Sequence, residues 1–160
     1  MCIRDSLKTT SFLPLLALLA LALTFGQKAQ AQIMEPVEWE FESVATEEGT
    51  YELLFTANVD KGWYIYSQDL EDGGPIPTTF EFDEGNTYAL KQEIVEKGEV
   101  IEKFDEMFDM DIKKYAKQVV FVATVKAKPG TEISGYLTFM TCDDMRCLPP
   151  EDVDFEFTLK

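Results

Sequence analysis

The chain has 160 residues with 30 acidic and 14 basic side chains and no histidine, a formal charge of −16 at pH 7. That balance argues against nucleic acid and anionic membrane surfaces as partners. The absence of imidazole excludes Ser-His-Asp and Cys-His nucleophile arrangements, and every metal site built on histidine.

Residues 1–31 read as a secretory signal peptide. Arg4 and Lys8 supply a positive start, residues 12–25 are apolar apart from Pro14 and Thr24, and Ala29-Gln30-Ala31 offers a small-residue cleavage site before Gln32. The apolar run is short for a bilayer span, which needs ~20 residues, so an uncleaved anchor is the lesser alternative. Asp5 is unusual in such a leader and moves the expected start to Leu7 or further upstream. The mature domain is then 32–160, one domain's worth of chain, with 11 basic against 29 acidic residues once Arg4, Lys8, Lys28 and Asp5 are removed. Export would permit disulfides.

Beyond the leader, short alternating runs replace helical periods. Residues 37–41 (Val-Glu-Trp-Glu-Phe) alternate apolar with acidic, as strands with one buried face do. Residues 51–58 and 63–66 follow, and then 79–83, which alternate as cleanly as the first run. Residues 88–96, 100–104, 118–127, 133–141 and 153–159 complete the set. Glu48-Gly49, Asp60-Lys61-Gly62, Asp72-Gly73-Gly74-Pro75, Glu84-Gly85-Asn86, Lys97-Gly98 and Pro129-Gly130 separate them as turns. Eight or nine short strands at this spacing predict an all-β fold, an immunoglobulin-like antiparallel β-sandwich. At most, residues 110–116 make a short turn of helix. Two segments look too irregular for plain hairpins: residues 67–77, with a Gly pair and two prolines, and residues 104–115, which mix apolar side chains with Asp105, Glu106, Asp109 and Asp111. Long loops in compact domains are often functional.

The chemistry concentrates in Cys142 and Cys147, the two cysteines outside the leader. They fall two ligands short of a tetrahedral zinc site, so no metal or other cofactor is expected. The neighbouring aspartates lack the Asp-x-Asp-x-Asp-Gly pattern of a calcium loop and read as solvated charges. As a staple the pair is weak, since a ring of about six residues contributes only ~2 kcal/mol by the chain-entropy argument. It is either oxidised and structural or cycling between redox states. Thiolate chemistry depends on local charge. Asp143 and Asp144 disfavour a thiolate at Cys142 and Arg146 favours one at Cys147, which makes Cys147 the better candidate for reacting with a partner. Pro149 and Pro150 donate no backbone N–H, so the chain after Cys147 should lie at an edge or surface.

The run from Gly135 through Cys142 to Cys147-Leu148-Pro149-Pro150 resembles the cysteine-bearing strand pair of the amino-terminal periplasmic domain of the thiol:disulfide interchange protein DsbD family. Gly62-Trp63-Tyr64-Ile65-Tyr66 and the loop after it are similar to that family too, as is Asp105-Glu106-Met107-Phe108, which matches an acidic pair and bulky side chains in its cap loop. The resemblance covers nearly all of 32–160. It implies a periplasmic immunoglobulin-like domain that relays electrons by thiol-disulfide exchange, as a component of a protein-disulfide reductase. Its partners would be membrane and thioredoxin-like DsbD domains, in cis or in trans, and thioredoxin-like periplasmic proteins of disulfide isomerase or cytochrome c maturation type. By position, Cys147 would form the mixed disulfide and Cys142 would resolve it. Phe108, with Met107, would cover the sulfurs, and Asp105 and Glu106 would tune the thiols and assist proton transfer.

Two departures bear on this reading. The cysteines have one intervening residue fewer than the enterobacterial form of the family, and the chain contains neither the multi-span membrane domain nor the carboxy-terminal thioredoxin-like domain. It is therefore expected to be one piece of a longer protein or a stand-alone domain served in trans. The rival from another class is a non-catalytic binding or adhesion module whose disulfide only pins a hairpin.

Overall fold

In the computed structural model, which describes residues 34–84 and 88–160, the alternating runs become strands of two antiparallel sheets. The expected leader and the centre of the Glu84-Gly85-Asn86 turn lie outside the described residues. The first sheet begins with the hairpin of β1 (Val37–Glu47) and β2 (Thr50–Val59), turned at Gly49 with φ 72°. It also contains β3 (Tyr64–Tyr66), β5 (Tyr88–Leu90), β6 (Val95–Asp105), β7 (Met110–Ala127) and β9 (Thr141–Cys142). The second sheet sets β8 (Glu132–Phe139) between β4 (Thr79–Phe82) and β10 (Glu151–Thr158).

Period-two patterning decides which side chains meet between the sheets. Tyr51, Leu53, Phe55 and Ala57 of β2 are buried, as are Val119, Phe121, Ala123 and Val125 of β7. Opposite them lie Ile133, Leu137 and Phe139 of β8, with Phe155 and Phe157 of β10. Phe55 is the hub. Its ring centroid lies 4.8 Å from Phe80, 4.9 Å from Phe155 and 5.2 Å from Phe157, all from the facing sheet. The last two contacts are edge-on, the arrangement that the aromatic quadrupole favours.

Two sequence expectations are corrected by the β6–β7 pair. Residues 110–116 are strand, not a turn of helix, and residues 104–115 are not a loop. They comprise the end of β6, a four-residue tip at 106–109 and the start of β7. The alternation is masked because both faces are covered here: Tyr115 is buried in the main core, while Ile112 and Lys114, of the other parity, are buried as well. A bulge then interrupts the ladder. Val100 pairs with Tyr115 and Gly98 with Val119, so three β7 residues oppose Glu99 alone, and Lys117 adopts φ 69°. There β7 exchanges β2, its partner along Gln118–Lys126, for β3 at Lys114 and Tyr115.

A third expectation fails at residues 133–141, which do not form one strand. β8 ends at Phe139, and after Met140 the chain enters the other sheet, where β9 pairs with β3. Alternation carries no signal for such a change, because the inward period is unbroken on either side of it.

Gly135 shows how tightly β8 is held between its neighbours. A Cβ there would stand 2.1 Å from the Glu81 carbonyl oxygen and 2.7 Å from Cζ of Phe155. Gly135→Ala is therefore expected to cost about 3 kcal/mol or more through overpacking against backbone, read as a lowered urea midpoint at unchanged slope.

Candidate dithiol site

The sheet change at Met140 delivers Cys142 to the end of β3. Cys142 is opposite Tyr64 and Thr141 opposite Ile65; the Thr141 hydroxyl donates to the Tyr64 carbonyl at 2.8 Å. Cys142 is only 2% exposed. The chain then turns through Asp143-Asp144-Met145-Arg146 and returns at Cys147, which bridges back to Cys142. Outside the cysteines the turn is closed by Leu148 N–H donating to the Thr141 carbonyl, and inside by Asp143 N–H donating to the Arg146 carbonyl, both at 2.9 Å.

A disulfide joins Cys142 and Cys147, whose Cα atoms are 4.0 Å apart. Pro149 and Pro150 follow as exposed residues outside any strand, which fits their missing donors. The chain then joins β10 in the second sheet.

Asp143 shapes the turn. Its Oδ1 accepts from the N–H groups of Met145 and Arg146, each at 2.8 Å. The Met145 N–H is the largest influence on its carboxyl, opposed by desolvation, and with the Arg146 N–H and guanidinium it holds the group below the usual carboxylate range. Arg146 Nε lies 3.4 Å from Asp143 Oδ2, and its guanidinium carbon is 5.8 Å from the centre of the Trp63 ring. The positive charge that the sequence reading assigned to Cys147 is thus shared with Asp143.

The tip of the β6–β7 hairpin lies over the sulfurs. Met107 Sδ is 3.8 Å from Cys147 Sγ, although half of Met107 is exposed. Phe108 stands edge-on to Tyr66, with centroids 6.3 Å apart, and packs with Cys142, Ile112, Met110 and Met140 in a small cluster separate from the main core. A cleft of about 280 Å³ runs beside them, lined by Cys142, Tyr66, Asp105, Glu106, Phe108 and Lys114 among others.

One buried ion pair holds this tip. Lys114 Nζ donates to Asp105 Oδ2 at 3.0 Å, and their side chains are 7% and 16% exposed. The same ammonium lies 4.3 Å from the centre of the Tyr64 ring. Asp105 Oδ1 accepts from the Met107 N–H at 3.0 Å, which fixes the residue touching Cys147. Burial pushes the Asp105 carboxyl upward, but the Lys114 hydrogen bond and charge, the Met107 N–H and the Lys103 charge together outweigh it and leave it below the ordinary range. Burial raises the Tyr66 hydroxyl well above its usual range, with help from the charge of Asp105 and then from Tyr64. Tyr66 therefore stays protonated at any physiological pH.

The structure brings Cys142, Cys147, Asp105, Glu106, Met107 and Phe108 into one place. Arg146 lies on the turn between the cysteines, facing Trp63. Lys114, Tyr64 and Tyr66 were missed as site residues. Tyr64 and Tyr66 lie in the Gly62–Tyr66 run noted for its resemblance, but nothing in the sequence marks Lys114 as buried.

A sandwich that buries one cysteine of a closely spaced pair and sets a methionine from another hairpin against its partner has the arrangement of a thiol-disulfide exchange module. Residues 30–159 match the family described as thiol:disulfide interchange protein DsbD, N-terminal, and the chain belongs to that family. Among solved structures it is similar to the DsbD n-terminal domain of Neisseria meningitidis in the reduced form, at 17% identity and TM-score 0.53, covering 75% of this chain and 84% of that one. It is also similar to the N-terminal periplasmic domain of ScsB from Proteus mirabilis, at 17% identity and TM-score 0.59, covering 79% of this chain. The match spans 47% of that ScsB structure. These likenesses show the fold, an immunoglobulin-like β-sandwich. The comparison with curated proteins gives no match.

Lys114→Met is expected to cost roughly 3 kcal/mol at neutral pH, because it strands the Asp105 carboxylate in a largely dehydrated place. Since the folded carboxyl lies below its unfolded value, the stabilisation from the pair is complete above the ordinary carboxylate range and is lost as pH falls below that range through the depressed folded value. The gap between wild type and Lys114→Met should accordingly close below about pH 4, in denaturant titrations repeated across pH.

Proposed function

We propose that the domain is an exported dithiol carrier, its leader cleaved near Ala31, which relays reducing equivalents in the periplasm. They pass from a DsbD-like membrane thiol reductase, in cis or in trans, to thioredoxin-like proteins of disulfide isomerase or cytochrome c maturation type. The observation that carries this reading is the unequal exposure of the two sulfurs. Cys142 is sealed at 2% exposure, whereas Cys147 is only partly buried, at the edge of the same small cluster and beneath a half-exposed methionine. A docking partner displaces one flexible side chain to reach Cys147.

The exchange follows from that asymmetry. In the reduced domain the Cys147 thiolate attacks a partner disulfide, forms a mixed disulfide and releases the partner's second sulfur as a thiolate. Cys142, deprotonated, then attacks Cys147 Sγ and expels the partner's first sulfur. The partner gains two electrons and two protons, and the Cys142–Cys147 disulfide forms again. An upstream dithiol reloads the domain by the reverse sequence.

The cap residues take different parts. Phe108 anchors the hairpin tip against Tyr66 and the Cys142 cluster, and Met107 shields Cys147. Asp105, held ionised by Lys114, is a poor proton acceptor and serves to position Met107. Glu106, exposed on the same cleft as Cys142, is the carboxylate assigned to proton transfer.

Cys142→Ser is expected to accumulate a mixed disulfide with a thioredoxin-like protein through Cys147, and Cys147→Ser to trap at least tenfold less on non-reducing gels. Equal trapping by both variants would remove the assigned roles. A wild-type potential below about −300 mV, where structural disulfides lie, would favour the hairpin staple instead. Phe108→Ala should speed reduction of the disulfide by a small thiol several-fold, measured by stopped-flow tryptophan fluorescence. An unchanged rate would show that the tip does not shield the sulfurs.

A further inference from the structure

Once the disulfide is reduced, the place where Met107 meets Cys147 holds three sulfurs of complementary chemistry. We propose that the reduced domain binds one Cu(I) ion through the thiolates of Cys142 and Cys147 and the thioether of Met107. This rests on the proposed function only in requiring a pair that can be reduced.

The donor set selects the metal. Among the described residues no three His, Cys, Asp or Glu side chains converge as metal ligands, so a hard or tetrahedral site has nothing to complete it. Zinc needs about four donors. Soft thiolate and thioether sulfur selects Cu(I), which is satisfied by roughly two or three of them. The ligand count that disfavours zinc therefore leaves Cu(I) well served.

Distances support three sulfurs rather than two. With metal–sulfur bonds of about 2.3 Å, sulfurs at the corners of a trigonal site stand about 4 Å apart. Met107 Sδ is already 3.8 Å from Cys147 Sγ. Cys142 and Cys147 need only separate from bonding distance, a movement of about 2 Å that side-chain rotation and the four-residue turn between them can supply. Met107 is positioned by its own N–H on Asp105, so the thioether does not have to be recruited from solvent. Its half-exposed side chain leaves a small ion a path to the sulfurs.

The chemistry balances in two stages. A protein dithiol transfers two electrons and two protons to the disulfide and leaves as its own disulfide, giving two thiols. Cu(I) then replaces the two thiol protons, which pass to solvent, and the oxidation state of copper does not change.

The test titrates the full-length, pre-reduced protein with Cu(I) held by bicinchoninate, without oxygen. Wild type should withdraw one equivalent, the oxidised protein and Cys142→Ser/Cys147→Ser none, and Met107→Leu should bind at least tenfold more weakly. X-ray absorption should count three sulfur neighbours in wild type and two in Met107→Leu. Unchanged affinity in Met107→Leu, or two sulfurs in wild type, overturns the site. Mixed-disulfide trapping needs no copper, so a protein that traps its partner but shows no Met107-dependent Cu(I) binding loses this inference alone. One that binds Cu(I) through three sulfurs yet traps no partner keeps the site and loses the exchange function.

Discussion

The ammonium of Lys114 joins the parts on which the dithiol depends. It lies on β7, ion-paired with Asp105 at the end of β6 and packed over Tyr64 of β3. Tyr64 is in turn the ladder partner of Cys142. A single buried cation thus sets the hairpin tip that covers the sulfurs in register with the strand that presents them. An exposed pair would contribute little and would not hold a geometry. Burial makes this one costly to break and therefore specific.

The same lysine explains where the sequence misleads. Residues 37–41, 79–83 and 153–159 are readable as strands because their inward positions carry only Val, Trp, Phe or Leu, and the acidic residues between them face water. At residues 110–116 an inward position is occupied by Lys114, whose charge is satisfied by Asp105 nine residues earlier. Both faces of β7 are covered there, Tyr115 packing in the main core and Ile112 in the small cluster beneath the hairpin tip, so apolar and polar positions do not alternate. Both features are tertiary, and a pattern search treats them as noise. The division of residues 133–141 between two sheets is unreadable for a different reason: side-chain alternation specifies which face is buried, not which strand is the neighbour.

The site was legible where chemistry is local. The pair Cys142 and Cys147 needs no fold to be recognised as a dithiol, and Pro149 and Pro150 mark a surface exit by their missing donors alone. Association of Asp105, Glu106, Met107 and Phe108 with the sulfurs came from resemblance, since about forty residues of chain separate Met107 from Cys147 and no spacing rule connects them. Only the fold supplies Tyr66 as the surface on which Phe108 rests.

The two cysteines are unequally anchored, and the proposed division of roles between them rests on that difference. Cys142 is held by the β3 ladder on one side and by the small cluster on the other. Cys147 belongs to no strand and leads through two prolines to the opposite sheet. Besides the disulfide, the turn is tied by the two carboxylate contacts of Asp143 with the Met145 and Arg146 N–H groups, the Asp143 N–H on the Arg146 carbonyl, and the Leu148 N–H on the Thr141 carbonyl. None of these passes through sulfur. In the proposed exchange they would keep Cys142 within reach of Cys147 in the mixed disulfide, making resolution an intramolecular step with the high effective concentration that a held geometry provides. The hydrogen bonds that bracket the cysteines thus hold together a pair too close in sequence to be a strong staple, which is what the proposed exchange requires of them.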